Sequence, residues 1–294
     1  MNRKNEFVRE LDCKLIDELK KEKLFQKNLL PDIKRGKVFP AIRKNRIDFY
    51  HKGGKLFSFD GKFSTHIKYA SVYKFDKDYI SELNEIKPIK SFSEKYNRIK
   101  ENCRLYSGEE AEGVAALYSK SSYVKCTDDV VVLDIEIALA TQDSPEHGGP
   151  EKEQKRRKQN RIDFLLYHKK KKILKFYEAK LFSNKEIWSK QGTTPKVIGQ
   201  IERYNKQIKC SEKEIIKAYK NYVNIVNSFF NLTLIEPEKV DSNVILFIFG
   251  FDNDLLKGRF KELLKDDQSL KDVKYYAIGD VSGLKIDTLW NKIK

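Results

Sequence analysis

Two neighbouring segments of this chain have the residue alternation of β-strands, and each carries charged residues among apolar ones. Arg161 to Tyr167 predicts one strand, and Ile173 to Phe182 predicts the next. The lysine run from Lys169 to Lys172 between them is typical of a polar hairpin connection. The two segments therefore predict a pair of adjacent strands, which limits where their charged side chains can lie.

Three charged residues of this strand pair are expected to converge. Glu178 and Lys180 are two residues apart, so their side chains share one face of a strand, and an adjacent strand can put Asp163 beside them. Two carboxylates and an ammonium at one point are costly unless a divalent cation binds there. Hard oxygen ligands of this kind suit Mg²⁺ or Mn²⁺. The sequence therefore predicts a Mg²⁺ site, with Mn²⁺ as the alternative cofactor.

A helix is predicted shortly after these strands. Pro195 suits the first turn of a helix. Gln200 and Tyr204 are four residues apart, so both side chains project from one helical face. The helix thus adds two polar groups to the predicted charged site.

The order of these residues resembles the PD-(D/E)xK nuclease superfamily, in its branch with a Gln-x-x-x-Tyr motif. The positions that carry the resemblance are Asp163, Glu178, Ala179, Lys180, Gln200 and Tyr204. Ile162 stands where the signature has proline. In that branch the helix packs beside the active site and touches the substrate strand, so Gln200 and Tyr204 are the implied substrate-binding residues.

The resemblance also implies the chemical roles of the strand residues. Asp163, Glu178 and the carbonyl of Ala179 would bind the cation, which makes the phosphate more electrophilic. Lys180 would orient the attacking water or neutralise the developing negative charge. Asp163, Glu178 and Lys180 are therefore the implied catalytic set.

Members of the superfamily often add a glutamate from the first helix of the core, which Ser107 to Ser119 predicts here. Glu110 is the expected additional catalytic acid and Glu112 is the alternative; for either, a helix-dipole acid that faces water is an equally open interpretation. Asp134 and Glu136 alternate with apolar residues on the next predicted strand. They would contribute ligands or face solvent, and they rank below Glu110.

The resemblance implies an α/β fold: a restriction-endonuclease-like α-β-β-β-α-β core with a central mixed sheet. The predicted elements from about residue 107 onward follow that order. A small α+β domain is expected before it, with a helix from Glu6 to Leu24 and two or three short strands. We predict an N-terminal domain at residues 1–95 and a nuclease-like domain at residues 96–294, with the linker in Lys87 to Ser93. The polar segment from Gln142 to Asn160 predicts a long loop.

The N-terminal part repeats a portion of the charged pattern. Asp48, Asp60 and Lys62 form a second Asp followed by Asp-x-Lys. Gly61 would weaken a strand at that point, and no Gln-x-x-x-Tyr helix follows. A β-hairpin of a binding or assembly module is the favoured interpretation, and a decayed duplicate that holds substrate is the alternative.

Composition narrows the classes of function. The formal net charge of +16, from 59 Lys+Arg against 43 Asp+Glu, attracts polyanions, although a lysine-rich proteome would give the same excess. The four cysteines and four histidines are dispersed, which disfavours a zinc site or a disulfide framework. The apolar stretches are too short to span a bilayer, and the N-terminus lacks a signal-peptide core. We therefore expect a cytoplasmic protein without a membrane partner.

These observations predict a Mg²⁺-dependent nuclease that hydrolyses phosphodiester bonds, with DNA expected as the substrate over RNA. The resemblance implies a role in restriction, repair or anti-phage defence. The N-terminal domain is expected to serve substrate selection, to bind a protein partner or to form a homodimer. A ribonuclease and a non-catalytic nucleic-acid-binding subunit on the same fold stay open. A scaffold protein with an incidental basic surface is the third class, and it would show no salt-sensitive binding to nucleic acid.

Overall fold

The protein is built on two β-sheets of different size. The computed structural model describes residues 7–70, 92–139, 161–188, 194–252, 254–255, 258 and 273–293. A four-stranded antiparallel sheet lies in the N-terminal part, and a five-stranded mixed sheet lies in the remainder, with helices between the strands. The α/β class predicted from the sequence is confirmed.

The smaller sheet follows three short helical segments. These are α1 (Cys13–Lys21), a π-helical turn (Phe25–Leu29) and α2 (Leu30–Lys34). The sheet has the order β1-β2-β3-β4, with β1 (Phe39–Arg43), β2 (Arg46–His51), β3 (Gly54–Phe59) and β4 (Phe63–Ser64). A two-residue turn, Lys52 and Gly53, joins β2 to β3, and both residues have left-handed backbone.

The larger sheet contains the predicted strand pair. Its order is β5-β6-β7-β8-β9, with β5 (Val130–Ala138), β6 (Arg161–His168), β7 (Ile173–Leu181), β8 (Lys239–Phe249) and β9 (Tyr275–Ile278). Strands β5, β6 and β7 are antiparallel, whereas β8 and β9 are parallel to β7. The hairpin predicted from the lysine-rich turn is confirmed as β6 and β7.

Five α-helices accompany these strands in the described part of the chain after the smaller sheet. They are α3 (Tyr96–Leu105), α4 (Glu109–Ser121), α5 (Lys196–Cys210), α6 (Glu212–Phe230) and α7 (Ile286–Asn291). A 3₁₀ turn, Lys185–Ile187, lies between β7 and α5. Asn231 ends α6 with a left-handed backbone, as is common at helix C-termini. The order α4, β5, β6, β7, α5, α6, β8 contains the predicted succession of helix, three strands, helix and strand.

Some predicted features lie outside the described residues. These include the whole polar loop from Gln142 to Asn160 and most of the linker from Lys87 to Ser93. Among the residues that the structure describes, no helix is both long and apolar enough to cross a membrane.

A fully buried carboxylate, that of Asp134 in β5, connects the two sheets. Its Oδ2 accepts hydrogen bonds from the Arg9 guanidinium at 3.0 and 3.1 Å and from the Tyr219 hydroxyl at 3.0 Å. Its Oδ1 accepts from Arg43 at 2.8 Å and from the backbone amide of Ile135 at 2.8 Å. A buried charge is tolerated when it is paired and hydrogen-bonded. These contacts therefore fix β1 and α6 against β5.

Apolar packing also joins the two sheets. Buried side chains from the N-terminal helices, the smaller sheet, the larger sheet and α6 form one continuous hydrophobic core. The Tyr123 hydroxyl donates to the Pro40 carbonyl at 2.7 Å across this junction. The division into domains at residues 95 and 96 stays a prediction, but the described parts on either side of it share this core.

The first helix is shorter than predicted. The sequence predicts a helix from Glu6 to Leu24, yet Glu10 forms a parallel bridge with Lys44, and α1 begins only at Cys13. Burial of Phe7 and Arg9 explains the difference, because both side chains pack at the junction of the sheets. Tertiary contacts have outweighed local helix propensity at this point.

The charged pattern of the N-terminal part does not form a second convergent site in this structure. Asp48 is buried in β2, where Arg46 lies 2.9 Å from its carboxylate and the Ser58 hydroxyl donates to it at 2.7 Å. Asp60 and Lys62 are exposed in the turn between β3 and β4, and Gly61 there has a φ of 104°. The carboxylate of Asp48 is therefore a structural group, as the β-hairpin interpretation expects.

Replacement of Arg43 by methionine tests the junction. Arg43→Met removes a donor to the buried Asp134 carboxylate, so the free energy of unfolding should fall by about 3 kcal/mol, as when one partner of a buried ion pair is lost. Arg35→Met is the matched control, because the Arg35 side chain is 61% exposed in its pair with Asp32, and its loss should be under about 1 kcal/mol. Urea unfolding measures both values. Equal losses in the two variants would contradict the role given to Asp134.

Candidate active site

Strands β6 and β7 stop pairing before either strand ends. Their last cross-strand pair at this end is Phe164 with Tyr177, whereas β7 continues to pair with β8 as far as Leu181. The next residues in this register are Asp163 and Glu178, which therefore lie opposite each other on the same face. The strands thus separate at the point where the two acidic residues meet.

Carboxylates take up the backbone amides that this separation leaves without a strand partner. The amide of Ala179 donates to Asp163 Oδ2 at 2.6 Å, and the amide of Leu181 donates to Glu110 Oε1 at 3.0 Å. In an extended strand, the carbonyl of a residue lies on the same edge as its amide. The carbonyl of Ala179 therefore lies on the edge of β7 that faces Asp163, where a cation ligand is expected.

The Glu178 carboxylate is buried and only half of it is hydrogen-bonded. Its Oε1 accepts from Lys180 Nζ at 2.9 Å and from Gln200 Nε2 at 2.7 Å. Its Oε2 is buried and has no hydrogen-bond partner among the described residues. Burial raises the pKa of Glu178 to about 7, even though Lys180 and Gln200 favour the charged form. The negative charge of this buried carboxylate is therefore only partly compensated by the described residues.

Lys180 lies between two acids. Its Nζ is 2.9 Å from Glu178 Oε1 and 3.1 Å from Glu186 Oε2, and its side chain is 9% exposed. Burial lowers the pKa of Lys180, but the charge and hydrogen bond of Glu178 outweigh burial and raise that pKa above its ordinary value. Lys180 is therefore an ammonium at neutral pH, which suits the stabilisation of negative charge and does not suit a general base.

The oxygens of this site fit a hard divalent cation. Burial raises the pKa of Asp163 well above its ordinary range, and the neighbouring charge of Glu178 raises it further. A cation would relieve that repulsion and would use the free Glu178 Oε2, the Asp163 carboxylate and the Ala179 carbonyl. Within the described residues, no three or more acidic, histidine or cysteine side chains form a complete metal cage. Mg²⁺ commonly needs one or two carboxylates, with water and substrate phosphate as its other ligands.

The glutamate that reaches the site from α4 is Glu110. Besides the β7 amide, its Oε1 accepts from the Asn184 side-chain amide at 2.5 Å. Gly113 permits this approach of α4, because a Cβ there would overlap the ring of Phe249. Glu112, the alternative, is exposed. The structure therefore brings Glu110 to the other acids and leaves Glu112 at the surface.

Gln200 and Tyr204 reach the site in different ways. Gln200 Nε2 donates both to Glu178 Oε1 and to the Tyr204 hydroxyl, the latter at 3.1 Å. Tyr204 is 1% exposed, so its ring is packed against the sheet and its hydroxyl holds Gln200. Direct contact of either residue with a substrate stays a prediction, and the burial of the Tyr204 ring favours Gln200 for that contact.

Glu136 lies in the cleft, although the sequence ranked it below Glu110. Its neighbours Ile135 and Ile137 pair with β6, but Glu136 itself has no cross-strand partner and has a φ of 52°. This register puts Glu136 beside Asp163, and its carboxylate is 3.3 Å from Arg161. Left-handed backbone in a non-glycine residue is uncommon and often occurs at functional sites. In the sequence, the alternation of Glu136 with apolar residues was the only signal that it lies in the cleft.

The companion acid on that strand has a structural position. Asp134, which the sequence also offered as a ligand, is 0% exposed and is fully engaged by Arg9, Arg43 and Tyr219. A bulge in β5 between Val132 and Asp134 changes the register there. The two acids therefore have different surroundings, and only Glu136 lies in the cleft.

The acidic residues lie in an open cleft of about 1070 Å³, between β5, β6 and β7 on one side and α5 on the other. Arg161, Lys196 and Arg203 also line it, so cations stand around the acidic centre. The first turn of α5 lies at the cleft, and the amides of a helix N-terminus favour anions. The cleft can therefore hold both a cation and a phosphate-bearing ligand.

No protein-family model matches this chain, and neither a curated protein nor a solved structure matches it. The function of the protein is therefore inferred from the chemistry of the cleft.

Replacement of Asp163 by asparagine separates the structural role of this residue from cation binding. Asparagine keeps an oxygen that accepts from the Ala179 amide but removes the charge beside Glu178. In EDTA at pH 8, Asp163→Asn should be at least as stable as the wild type. Its free energy of unfolding should be higher by up to about 1 kcal/mol. The rise in Tm that Mg²⁺ produces in the wild type should be lost. Thermal unfolding with and without Mg²⁺ measures both effects.

Glu112→Gln is the matched control for this measurement, because it removes an exposed acid from the same region of the protein and should leave the Mg²⁺ response unchanged. A wild type that Mg²⁺ does not stabilise, or an Asp163→Asn variant that keeps the full response, would contradict a cation site at Asp163.

Proposed function

We propose that this protein is a Mg²⁺-dependent nuclease that hydrolyses phosphodiester bonds, with DNA as the expected substrate. The observation that carries the proposal is the meeting of Asp163, Glu178 and Lys180 in one open cleft, at the point where β6 and β7 separate. Glu178 is not neutralised in the way that Asp134 is, since one of its buried oxygens has no hydrogen-bond partner among the described residues.

The succession of elements supports the same proposal. Helix α4, strands β5 to β7, helices α5 and α6 and strand β8 follow the order expected of the PD-(D/E)xK core. Glu110 from the first helix and Gln200 from the helix after β7 both contact groups of β7, as that resemblance implies. The membership of this chain in that superfamily is part of the proposal.

The side chains of the cleft have separate tasks in this mechanism. Asp163 and Glu178, with the Ala179 carbonyl, would hold Mg²⁺ or Mn²⁺. When bound, the cation supplies Lewis-acid activation of the phosphate. Lys180, held as an ammonium by Glu178, stabilises the negative charge that develops on the phosphate oxygens or orients the attacking water.

Two further side chains maintain this arrangement. Glu110 holds the end of β7 through the Leu181 amide, which keeps the strand separated from β6. Gln200 orients the Glu178 carboxylate and is itself held by the Tyr204 hydroxyl. The cationic residues Arg161, Lys196 and Arg203 would contact substrate phosphates at the rim of the cleft.

Cleavage assays on single-stranded, duplex and supercoiled DNA, with RNA in parallel, test this proposal. Wild type should cleave DNA in Mg²⁺ or Mn²⁺ and not in EDTA. Lys180→Met and Glu178→Gln should each lower the rate by at least about 100-fold, because each removes a charge that acts on the reacting phosphate. Gln200→Ala should lower it less, by about 10-fold, because it only loosens Glu178.

Two matched controls accompany these variants. The first pair is Glu110→Gln and its control Glu112→Gln, which changes an exposed acid of the same helix. Only Glu110→Gln should lower the rate of DNA cleavage. Lys213→Met, at an exposed position of α6, is the control for Lys180→Met. Metal-dependent cleavage that survives both Lys180→Met and Glu178→Gln would contradict the proposed centre.

The two alternatives correspond to other outcomes of the same assay. Cleavage of RNA alone would identify a ribonuclease. Salt-sensitive binding of nucleic acid without any cleavage would favour a non-catalytic subunit on the same fold. The ion pair between Lys180 and Glu178 is compatible with a non-catalytic subunit, because Lys180 already compensates the charge on one Glu178 oxygen.

A further inference from the structure

A second cavity, separate from the candidate active site, has seven lysine and arginine residues among those that line it. It has a volume of about 890 Å³ and lies between the smaller sheet and helices α3 and α4. Its cationic lining includes Arg35, Lys37, Lys52, Lys100, Arg104 and Lys125. Glu101 is the one acid among the described residues that line it. The proposed chemistry does not use this basic cavity.

Several cations of the basic cavity have no acidic partner among the residues that the structure describes. Asp32 neutralises Arg35 and Lys100, at 3.5 and 2.5 Å. Lys37, Lys52 and Arg104 are exposed and take part in no ion pair within the described chain. Repulsion between like charges disfavours such a concave arrangement unless an anion binds there. The basic cavity therefore has an excess of positive charge that a polyanion could neutralise.

Lys52 occupies a position that lysine rarely takes. It is the first residue of the two-residue turn between β2 and β3 and has a φ of 50°. Turns with two left-handed residues strongly favour Asn followed by Gly, and Gly53 already fills the second place. A lysine at this position costs local stability. The turn therefore directs a positive charge to the basic cavity in a conformation that does not favour lysine.

The wall of the basic cavity contains one histidine. His51 is buried in this wall, and its Nδ1–H donates to the Lys37 carbonyl at 2.8 Å. Burial lowers the pKa of His51 to about 4, and the nearby charges of Lys100 and Lys52 add to that decrease against the opposing effect of Asp32. The imidazole is therefore neutral at pH 7 and adds no charge to the basic cavity.

A smaller cavity lies between the two and shares lining residues with both the basic cavity and the active-site cleft. Its volume is about 230 Å³, and its lining includes Tyr118, Glu110 and Asp163. Tyr118 also lines the basic cavity, and Asp163 also lines the active-site cleft. Helix α4 runs from Glu110 at one end to Lys120 at the other. At about 1.5 Å per residue, those positions are about 15 Å apart along the helix.

We propose that the basic cavity binds backbone phosphates of a nucleic-acid strand at about four nucleotides from the phosphodiester at Asp163 and Glu178. The proposal places the duplex axis along α4, so about 15 Å along the helix corresponds to about four nucleotides at a rise of about 3.4 Å per nucleotide along that axis. The substrate assignment rests on the proposed nuclease function. An extended polyanion is favoured over a compact phosphate ligand, because the cations stand on several elements around an open cavity and do not converge on one point.

Binding of a fluorescently labelled 20-nucleotide DNA duplex by the full chain in EDTA tests the proposal without cleavage. The double variant Lys37→Gln/Arg104→Gln should bind about 10-fold more weakly than wild type at 0.1 M salt. The slope of log affinity against log salt should decrease in magnitude by about two, one for each lost phosphate contact. The double variant Lys213→Gln/Lys217→Gln, with the same loss of charge on the exposed face of α6, should change affinity less than about two-fold.

Lys52→Asn excludes unfolding as the cause of weaker binding. Asn-Gly is the favoured turn, so this variant should be at least as stable as wild type in urea unfolding while it binds the duplex about three-fold more weakly. Oligonucleotides shortened on one side of the cleavage position should lose the difference between wild type and Lys37→Gln/Arg104→Gln once fewer than about four nucleotides remain on that side.

The outcomes separate this proposal from the nuclease proposal. Weaker binding by the cavity variants, without any cleavage by wild type, would support phosphate binding in the basic cavity. The same result would contradict the proposed nuclease function. Active cleavage with equal binding by the cavity and α6 variants would overturn the basic cavity and leave the nuclease intact. Thermal stabilisation of wild type but not of Lys37→Gln/Arg104→Gln by ATP, with unchanged DNA affinity, would also overturn it in favour of a compact phosphate ligand.

Discussion

The buried carboxylate of Asp134 is the interaction on which the remaining architecture depends. The guanidiniums of Arg9 and Arg43 and the Tyr219 hydroxyl all donate to it. Elements that are distant in sequence are therefore held by one carboxylate. Arg43 also donates to the Ile135 carbonyl at 2.7 Å, which holds the backbone of β5 just before Glu136. The left-handed backbone at Glu136 follows immediately, and this residue lies beside Asp163 in the cleft. Arg43 therefore contacts both the carboxylate that joins the sheets and the backbone next to the site.

Two groups of buried charge illustrate opposite solutions to the same electrostatic problem. Every oxygen of Asp134 is hydrogen-bonded to a donor, and the carboxylate is structural. One oxygen of Glu178 accepts from Lys180 and Gln200, the other has no partner in the described part of the chain, and burial raises the pKa of Glu178 to about 7. An uncompensated acid destabilises the fold, so its presence next to Asp163 is best explained by a ligand that supplies the missing positive charge. This contrast is the physical basis for the proposed active site.

The sequence predicted the local parts of this structure and missed the parts that depend on tertiary contacts. The β6–β7 hairpin and the helix of Gln200 and Tyr204 follow from alternation and spacing, which are visible in a single chain. The extended segment at Arg9, the bulge before Asp134 and the backbone of Glu136 depend on residues more than 20 positions away. The burial of the Tyr204 ring and the basic cavity could not be predicted either, because charge and spacing alone do not indicate which side chains the fold encloses.

An anomalous difference map from a crystal soaked in Mn²⁺ would test the proposed cation site most directly. A single strong peak is expected within coordination distance, about 2.2 Å, of both the Asp163 and the Glu178 carboxylates, with the Ala179 carbonyl as a third ligand. The peak should disappear in Asp163→Asn crystals grown and soaked in the same way. A fully occupied peak elsewhere in the protein, or no peak at saturating Mn²⁺, would contradict the assignment of this cleft as a metal-dependent active site.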